Sequence, residues 1–375
     1  MTVLSLFDGM SCGRIALREL GAEVETYYAS EIDPHAIRQT RHNFPDTVQL
    51  GDVERWRDWE IDWAGIDLLL AGSPCQGFSF AGKQLAFDDP RSRLFFVFAD
   101  ILAHVRKANP NVRFLLENVN MKREYLRVIS EYCGVFPVRI NSALVSAQNR
   151  DRWYWTDIRT RREGLFGELY SDIPQPADRG LTLRDVLDDK VPEKYNVGEK
   201  LMRHITDPKR LGKYTELNDG DRKSQCLTAK GDSSWAGTFV VQRPRGYNQG
   251  GIHTDKAPAL SANGWERNHR VIQLNPCREF GTQPRQQNRV YSTYGKSPAM
   301  NTGTGGNLQA KILTEDCRIR RLTPTECARL QTIPDWYEWV VSDTQIYKML
   351  GNGWTVEVIT HILSFWEETR QMKTA

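Results

Sequence analysis

The residues best suited to chemistry stand in three short segments. In Gly72-Ser-Pro-Cys-Gln-Gly-Phe-Ser79, a Pro-Cys pair follows the apolar run 66–71. That order places the Cys75 thiol on a stiff turn at a strand end, where a thiolate could act as a nucleophile. The competing reading is ordinary packing, because most isolated cysteines are small buried residues. Glu117 closes Phe114-Leu-Leu-Glu, inside what reads as a central strand. Carboxylates are almost never fully buried without a partner, so this one is either hydrogen-bonded or working. Gln148-Asn-Arg-Asp-Arg152 sets Arg150 and Arg152 two apart, on one face if the segment is extended. Surface salt bridges are their alternative.

A second group stands nearer the N-terminus. Ser5-Leu-Phe-Asp-Gly-Met-Ser-Cys-Gly13 reads as a strand, a glycine-containing turn and the start of a helix with unpaired N–H groups. Glu31 ends the second strand, where an acidic residue commonly holds a ribose diol. Asp52 follows the third strand in Gly51-Asp52-Val53, where it could accept from an adenine amino group. Taken singly, each acid reads as a helix cap or a solvent-facing charge. Three acids at successive strand ends point to a nucleoside cofactor.

These groups need a frame to hold them. Strands are expected at 3–7, 24–30, 47–50, 66–71, 113–117 and 138–142, with helices at 11–20, 34–43, 91–107 and 122–132. The alternation predicts βαβ units, a mostly parallel sheet, and ligands at the strand C-termini. Past about residue 160 it dissolves into Gly, Pro, Asn, Thr and Arg-rich sequence. A weak repeat there starts at Lys223, Lys256 and Lys296, suited either to phosphate contacts or to turn chemistry alone. Helical order returns at 323–331, 343–350 and 355–366, so the chain leaves its first domain, builds a second and comes back.

Bulk properties narrow the class. With 375 residues, 40% apolar and 26% charged, the composition is that of a soluble globular protein. No apolar run reaches the roughly 18 residues that a membrane span needs. Met-Thr-Val-Leu-Ser-Leu-Phe reads as a strand starting at once rather than as a signal peptide. The seven cysteines, at 12, 75, 133, 226, 277, 317 and 327, lack C-x-x-C spacing. Neither a metal centre nor a disulfide framework is expected, and a reducing compartment is. The net charge of +3 hides an asymmetry, since 200–312 holds 18 Lys and Arg against 8 Asp and Glu. A basic module on a mildly acidic body suggests a polyanionic partner; a basic solvated domain without one is the alternative.

Taken in order, these motifs resemble the cytosine-5 DNA methyltransferase family. Phe-Asp-Gly-x-x-x-Gly, the strand-end Glu31, Gly-Asp-Val, Gly-Ser-Pro-Cys, Glu-Asn-Val, Gln-x-Arg-x-Arg and Gly-Asn-Gly-Trp follow that family's sequence of motifs. Arg321-Leu-Thr-Pro-Thr-Glu-Cys-Ala-Arg-Leu-Gln331 resembles its penultimate motif. The likeness covers about 1–157 and 318–366. Residues 5–13, Arg93-Leu-Phe-Phe and Val145-Ser-Ala resemble the animal de novo branch and its bacterial and phage relatives. Ser11 stands where many members have glycine, and Gly353-Trp354 where most bacterial members have a small residue and Val.

The resemblance implies an α/β fold. A Rossmann-like S-adenosylmethionine-dependent methyltransferase sheet would form from 1–159 plus 318–375. A smaller basic target-recognition domain, mostly irregular or β, would be inserted at 160–317. It implies methyl transfer from S-adenosylmethionine to carbon 5 of a cytosine flipped out of duplex DNA, leaving S-adenosylhomocysteine. Cys75 would add to carbon 6. Glu117 would hydrogen-bond N3 and the exocyclic amine, which requires a proton on its carboxyl. Arg152 would hold O2, with Arg150 and Asn118 fixing the pocket. The cofactor would contact Phe7, Asp8, Gly9, Met10, Cys12, Glu31, Ile32, Asp52, Val53 and Pro74, with Asn352 and Trp354 completing its site. Residues 76–93 would close over the base, bringing Gln76 and Ser79 to DNA alongside Arg243, Arg245, Arg267 and Arg270 of the insert. No metal and no membrane are involved on this reading. The protein would act as a monomer on double-stranded DNA, in the cytoplasm of a bacterium or phage-infected cell.

Two rivals share the fold. An RNA cytosine-5 methyltransferase would have a shorter middle region than 160–312. A catalytically inactive DNA-binding homologue would not need Cys75, Glu117 and Arg152 together. A nicotinamide dehydrogenase would want Gly-x-Gly-x-x-Gly after the first strand, which is absent.

Overall fold

Apolar runs of strand length, separated by stretches of helical period, condense into one sheet with helices on both faces. The computed structural model describes residues 1–72, 93–188, 191–195 and 322–366. It also describes the backbone of short strands at 241–242, 251–252, 290–291, 297–298, 311–313 and 319–321. The strands that matter for the site are β1 (Thr2–Leu6), β2 (Thr26–Ser30), β3 (Val48–Gln49), β4 (Leu68–Gly72), β5 (Arg113–Val119), β6 (Val138–Asn141), β7 (Gln148–Asn149) and β8 (Asp151–Thr156). Seven of them form a sheet in the order β3-β2-β1-β4-β5-β8-β6, with β7 outside it. The pairings from β3 to β5 are parallel; β8 runs antiparallel to both β5 and β6.

The helices are α1 (Cys12–Glu19), α2 (Pro34–Asn43), α3 (Arg93–Ala108), α4 (Arg123–Cys133), α5 (Pro324–Leu330), α6 (Asp343–Asn352) and α7 (Val356–Leu363). All lie within two residues of the expected spans, apart from the end of the last, which stops three residues short. The strand of the seven-stranded sheet absent from the expected set is β8. Its Trp153-Tyr154-Trp155 run has strand-forming composition, yet the last strand expected ends at 142.

Alternate residues of the central strands feed two cores. Leu4, Leu69 and Leu116 meet Phe98, Leu102 and Ile129 on one face. Val3, Leu68, Leu70 and Leu115 meet Ile15, Ile359 and Ile362 on the other. Burial on both faces explains why β1 and β4 read as continuous apolar runs. Past β8 the chain still contributes Ile173, Leu183 and Val186 to the second core.

The segment after α5 docks on the N-terminal helices through specific polar contacts. Asn43 donates to the Glu338 carbonyl at 2.9 Å and accepts from the Glu338 N–H at 2.9 Å. Gln39 accepts from Val340 N at 3.0 Å and donates to the same Glu338 carbonyl. Trp336 donates to Glu19 at 2.8 Å, with the Arg18 guanidinium 3.8 Å over its ring. Strand order reverses between β1 and β4, and an open α/β sheet binds ligands at the C-terminal edge of such a reversal. Among the described residues, no helix is long and apolar enough to cross a membrane. No cluster of three His, Cys, Asp or Glu suits a metal ion among them.

Candidate active site

The end of β4 meets the end of β5 in a fixed register. Gly72 pairs with Glu117, which on its other side pairs with Tyr154, and Val119 pairs with Arg152. Glu117 is only 8% exposed. Arg152 Nε lies 2.9 Å from Glu117 Oε1. Its N–H is not aimed at that oxygen and meets no acceptor in hydrogen-bonding geometry among the described residues. Charge therefore holds the pair, and the Nε–H remains a buried donor with capacity to spare. A second arm of the guanidinium, Nη1, donates to the Asp151 carbonyl at 2.8 Å. Asn118 is buried, and its Oδ1 accepts from Val119 N at 2.8 Å. Burial, together with the neighbouring Glu117, pushes the Tyr154 phenol above its usual range.

Arg150 faces another way. It is 3% exposed, and it donates through Nη1 to the Gly351 carbonyl at 3.3 Å and through Nη2 to that of Gly353 at 2.9 Å. Gln148 also serves this side, donating through Nε2 to the Leu330 carbonyl and to Gln331 Oε1, both at 3.1 Å. Surface salt bridges thus describe neither arginine of the motif.

At the cofactor end, the turn after β1 is tightly wound. Phe7, Gly9 and Ser11 have φ of 56°, 59° and 64°. A left-handed non-glycine residue costs roughly 1–2 kcal/mol, which gives a physical reason for glycine at position 11 elsewhere. Here the Ser11 hydroxyl offsets that cost. It donates to Asp8 Oδ2 and lies 2.9 Å from Thr40 Oγ1. Asp8 also accepts from Tyr27 Oη at 2.9 Å. Burial pushes its carboxyl up from 3.8 to about 6. The Asp8 side chain faces the protein interior, so its contribution to a ligand passes through the turn.

Glu31 accepts from Gly9 N through one oxygen and from Ile32 N and Asp33 N through the other, each at 2.8 Å. Ile32 beside it is 71% exposed, an apolar side chain presented at the rim. Asp52 is exposed and caps the short turn 53–58 by accepting from Glu54 N at 3.0 Å, while Val53 is buried. The cap reading of Asp52 is therefore realised for one of its oxygens.

Trp354 joins the two ends of the site. A Cβ placed on Gly72 would lie 2.8 Å from its Nε1, and one on Gly13 would lie 3.4 Å from its ring. Gly353 is as crowded, since a Cβ there would sit 3.1 Å from Cys12 Sγ. Asn352 is exposed at the end of α6. Met10 is buried, and its carbonyl accepts from Tyr337 Oη at 2.9 Å. Neither Tyr337 nor Gln331 is a site residue in the sequence reading, because their partners lie far away along the chain.

Burial raises the described thiols Cys12, Cys133 and Cys327, the first to about 12, so none is poised as a thiolate. Pro74, Cys75, Gln76, Ser79, Arg243, Arg245, Arg267 and Arg270, and the repeat starts at Lys223, Lys256 and Lys296, lie outside the described residues.

Comparison with known proteins bears on the family and the fold. The family model described as C-5 cytosine-specific DNA methylase matches residues 1–366. Among curated proteins, the chain is 27% identical to the orphan methyltransferase M.SPRI of Bacillus phage SPR, covering 96% of both chains. It is 29% identical to the type II methyltransferase M.HpaII of Haemophilus parainfluenzae, covering 96% of this chain and 87% of the relative. The crystal structure of S. pombe Dnmt2 methyltransferase shares the fold, with a TM-score of 0.55 at 16% identity over 98% of each chain.

Proposed function

The chain belongs to the C-5 cytosine-specific DNA methylase family, a family of enzymes, and from that premise we propose that it methylates carbon 5 of a cytosine flipped out of duplex DNA. The observation that carries this reading is the register at the sheet edge. Gly72, three residues before Cys75, sits beside Glu117, and Arg152 on β8 forms an ion pair with Glu117 on β5. Three residues of chain span up to about 11 Å, a length that allows Cys75 to act beside that carboxyl.

The residues at the β1 and β2 ends fit S-adenosylmethionine. Exposed Ile32 offers an apolar surface for a purine ring, and Glu31 is held by three N–H groups with one lone pair left on Oε2 for a ribose hydroxyl. When bound there, the cofactor supplies an electrophilic methyl group. Cys75 acts on the base as a thiolate, adding to carbon 6 so that electron density moves to carbon 5. Glu117 hydrogen-bonds N3 and the exocyclic amine, and Arg152 directs its spare Nε–H to O2, limiting charge build-up on the ring. After the carbon-5 proton leaves to a base, the Cys75–carbon bond breaks and the thiolate returns.

On this reading the target-recognition insert lies within 160–317, past the stretch up to Val186 that packs into the second core. Its basic side chains, Arg243, Arg245, Arg267 and Arg270 among them, meet phosphates, while Gln76 and Ser79 lie beside the flipped base. On this reading the protein works as a monomer and without metal, and the phage and bacterial sources of the named relatives support a bacterial or phage-infected cell. Bisulfite sequencing of DNA incubated with enzyme and S-adenosylmethionine tests the function directly. Protected cytosines in a recurrent sequence context are expected, with transfer RNA in a parallel reaction left unmethylated. Methylation of the RNA alone would overturn the DNA reading.

A further inference from the structure

The two arginines of Gln148-Asn-Arg-Asp-Arg152 stand two residues apart yet serve different structures. Arg152 pairs with Glu117. Arg150 reaches the carbonyls of Gly351 and Gly353, where α6 ends. A cation is favoured there, because the last carbonyls of a helix carry its negative dipole end. Gln331 approaches the same turn from a second side. Its Nε2 donates to the Leu350 carbonyl at 2.6 Å and to that of Gly353 at 3.1 Å. Its Oε1 is held in turn by Gln148 Nε2 at 3.1 Å and Thr355 Oγ1 at 2.8 Å, which fixes the amide orientation. The Gly353 carbonyl therefore accepts from both Arg150 and Gln331. The turn so held leads directly into Trp354, whose indole rests against Gly72 and Gly13.

We propose that Arg150 is a positioning residue for the cofactor pocket and not part of the target-base pocket. With Gln331 it clamps the 350–353 turn and seats Trp354 at the β1 and β4 ends, while Arg152 alone serves Glu117. This rests on reading that sheet edge as the S-adenosylmethionine site. The planar guanidinium spans two carbonyls at once, which a lysine ammonium does not reproduce.

The test is calorimetric titration of S-adenosylhomocysteine into wild type, Arg150→Lys, Gln331→Met, the double variant and Arg152→Lys, all without DNA. Arg150→Lys and Gln331→Met should each weaken binding about tenfold, the scale of one lost buried hydrogen bond. The double variant should lose less than the product of the two single losses, because both act on the Gly353 carbonyl. Arg152→Lys should bind within about twofold of wild type while losing methyl transfer.

Melting temperatures, taken with and without S-adenosylhomocysteine, separate this from a merely structural role. Such a role lowers the unliganded value and leaves the ligand-induced rise intact, an outcome that overturns the proposal. Should Arg150→Lys fail to fold, Gln331→Met carries the same expectation. Wild type that binds no S-adenosylhomocysteine removes the cofactor reading and this inference with it. Wild type that binds, beside Arg150→Lys and Gln331→Met that bind equally well, sinks the inference alone. So does an Arg152→Lys loss as large as that of Arg150→Lys.

Discussion

Replacing Asp8 with asparagine should change how the stability of this protein depends on pH. The Asp8 carboxyl is buried beneath the turn that follows β1, with Ser11 and Tyr27 as donors. Burial raises it from 3.8 to about 6 despite those donors. In the unfolded chain it returns to the ordinary carboxylate value. Between the two values the folded protein holds a proton that the unfolded chain has released. Its contribution is therefore fully present at low pH and is lost as pH rises through about 6. That rise in pKa corresponds to about 3 kcal/mol, of which about 2 kcal/mol falls between about pH 4.5 and about pH 7.5.

Asparagine has nearly the same shape and does not titrate. An amide oxygen still accepts a hydroxyl, and the other hydroxyl turns to accept from the amide, so the turn should persist. Urea unfolding of wild type and Asp8→Asn at the two pH values gives the difference in stability. The advantage of Asp8→Asn should grow by about 2 kcal/mol from the lower pH to the higher. A flat difference would refute burial as the dominant influence on this carboxyl. An advantage that shrinks with rising pH would mean that the hydroxyl donors outweigh burial and stabilise the anion.

Gly72→Ala would drive a methyl group to within 2.8 Å of Trp354 Nε1. Overpacking of that kind costs roughly 1–3 kcal/mol, so a lower melting temperature and weaker S-adenosylhomocysteine binding are expected together. Unchanged values of both would show that the indole has room to move. Glu117→Gln should slow methyl transfer about a hundredfold or more while cofactor affinity stays near wild type; equal losses in both would place Glu117 in the wrong pocket. Substituting Arg243, Arg245, Arg267 and Arg270 should flatten the dependence of log affinity for duplex DNA on log salt, by roughly 0.9 per lost phosphate contact. An unchanged slope would mean that these side chains do not face DNA.

The parts of the fold legible in the sequence are those governed by local period. Continuous apolar runs gave β1, β4 and β5, because strands buried on both faces need no polar alternation. Helix α5 opens on a local signal of the same kind, a reciprocal capping box of Thr323 and Glu326 around Pro324. Features set by contacts between distant segments were not legible. The antiparallel placement of β8 decides that Arg152 meets Glu117, yet nothing within 148–152 specifies a neighbour. Arg150 likewise reads as a companion of Arg152 by spacing, while its partners at Gly351 and Gly353 lie some 200 residues on. The left-handed Ser11 was visible as a departure from glycine. Its compensation by Asp8 and Thr40 was not, because Thr40 arrives from α2.

The central claim is that Cys75 forms a covalent bond to the target base. A long duplex made with 5-fluorodeoxycytidine in place of deoxycytidine tests it without knowledge of the recognised sequence. Fluorine at carbon 5 cannot leave as a cation, so the bond from Cys75 to carbon 6 cannot be released after methylation. With S-adenosylmethionine present, a denaturant-stable protein–DNA adduct carrying one transferred methyl group should form. Its cross-link should map to the peptide spanning residues 72–79, and Cys75→Ser should abolish it. Adduct formed equally well by Cys75→Ser, or no adduct from an enzyme that methylates ordinary duplex, would contradict the account.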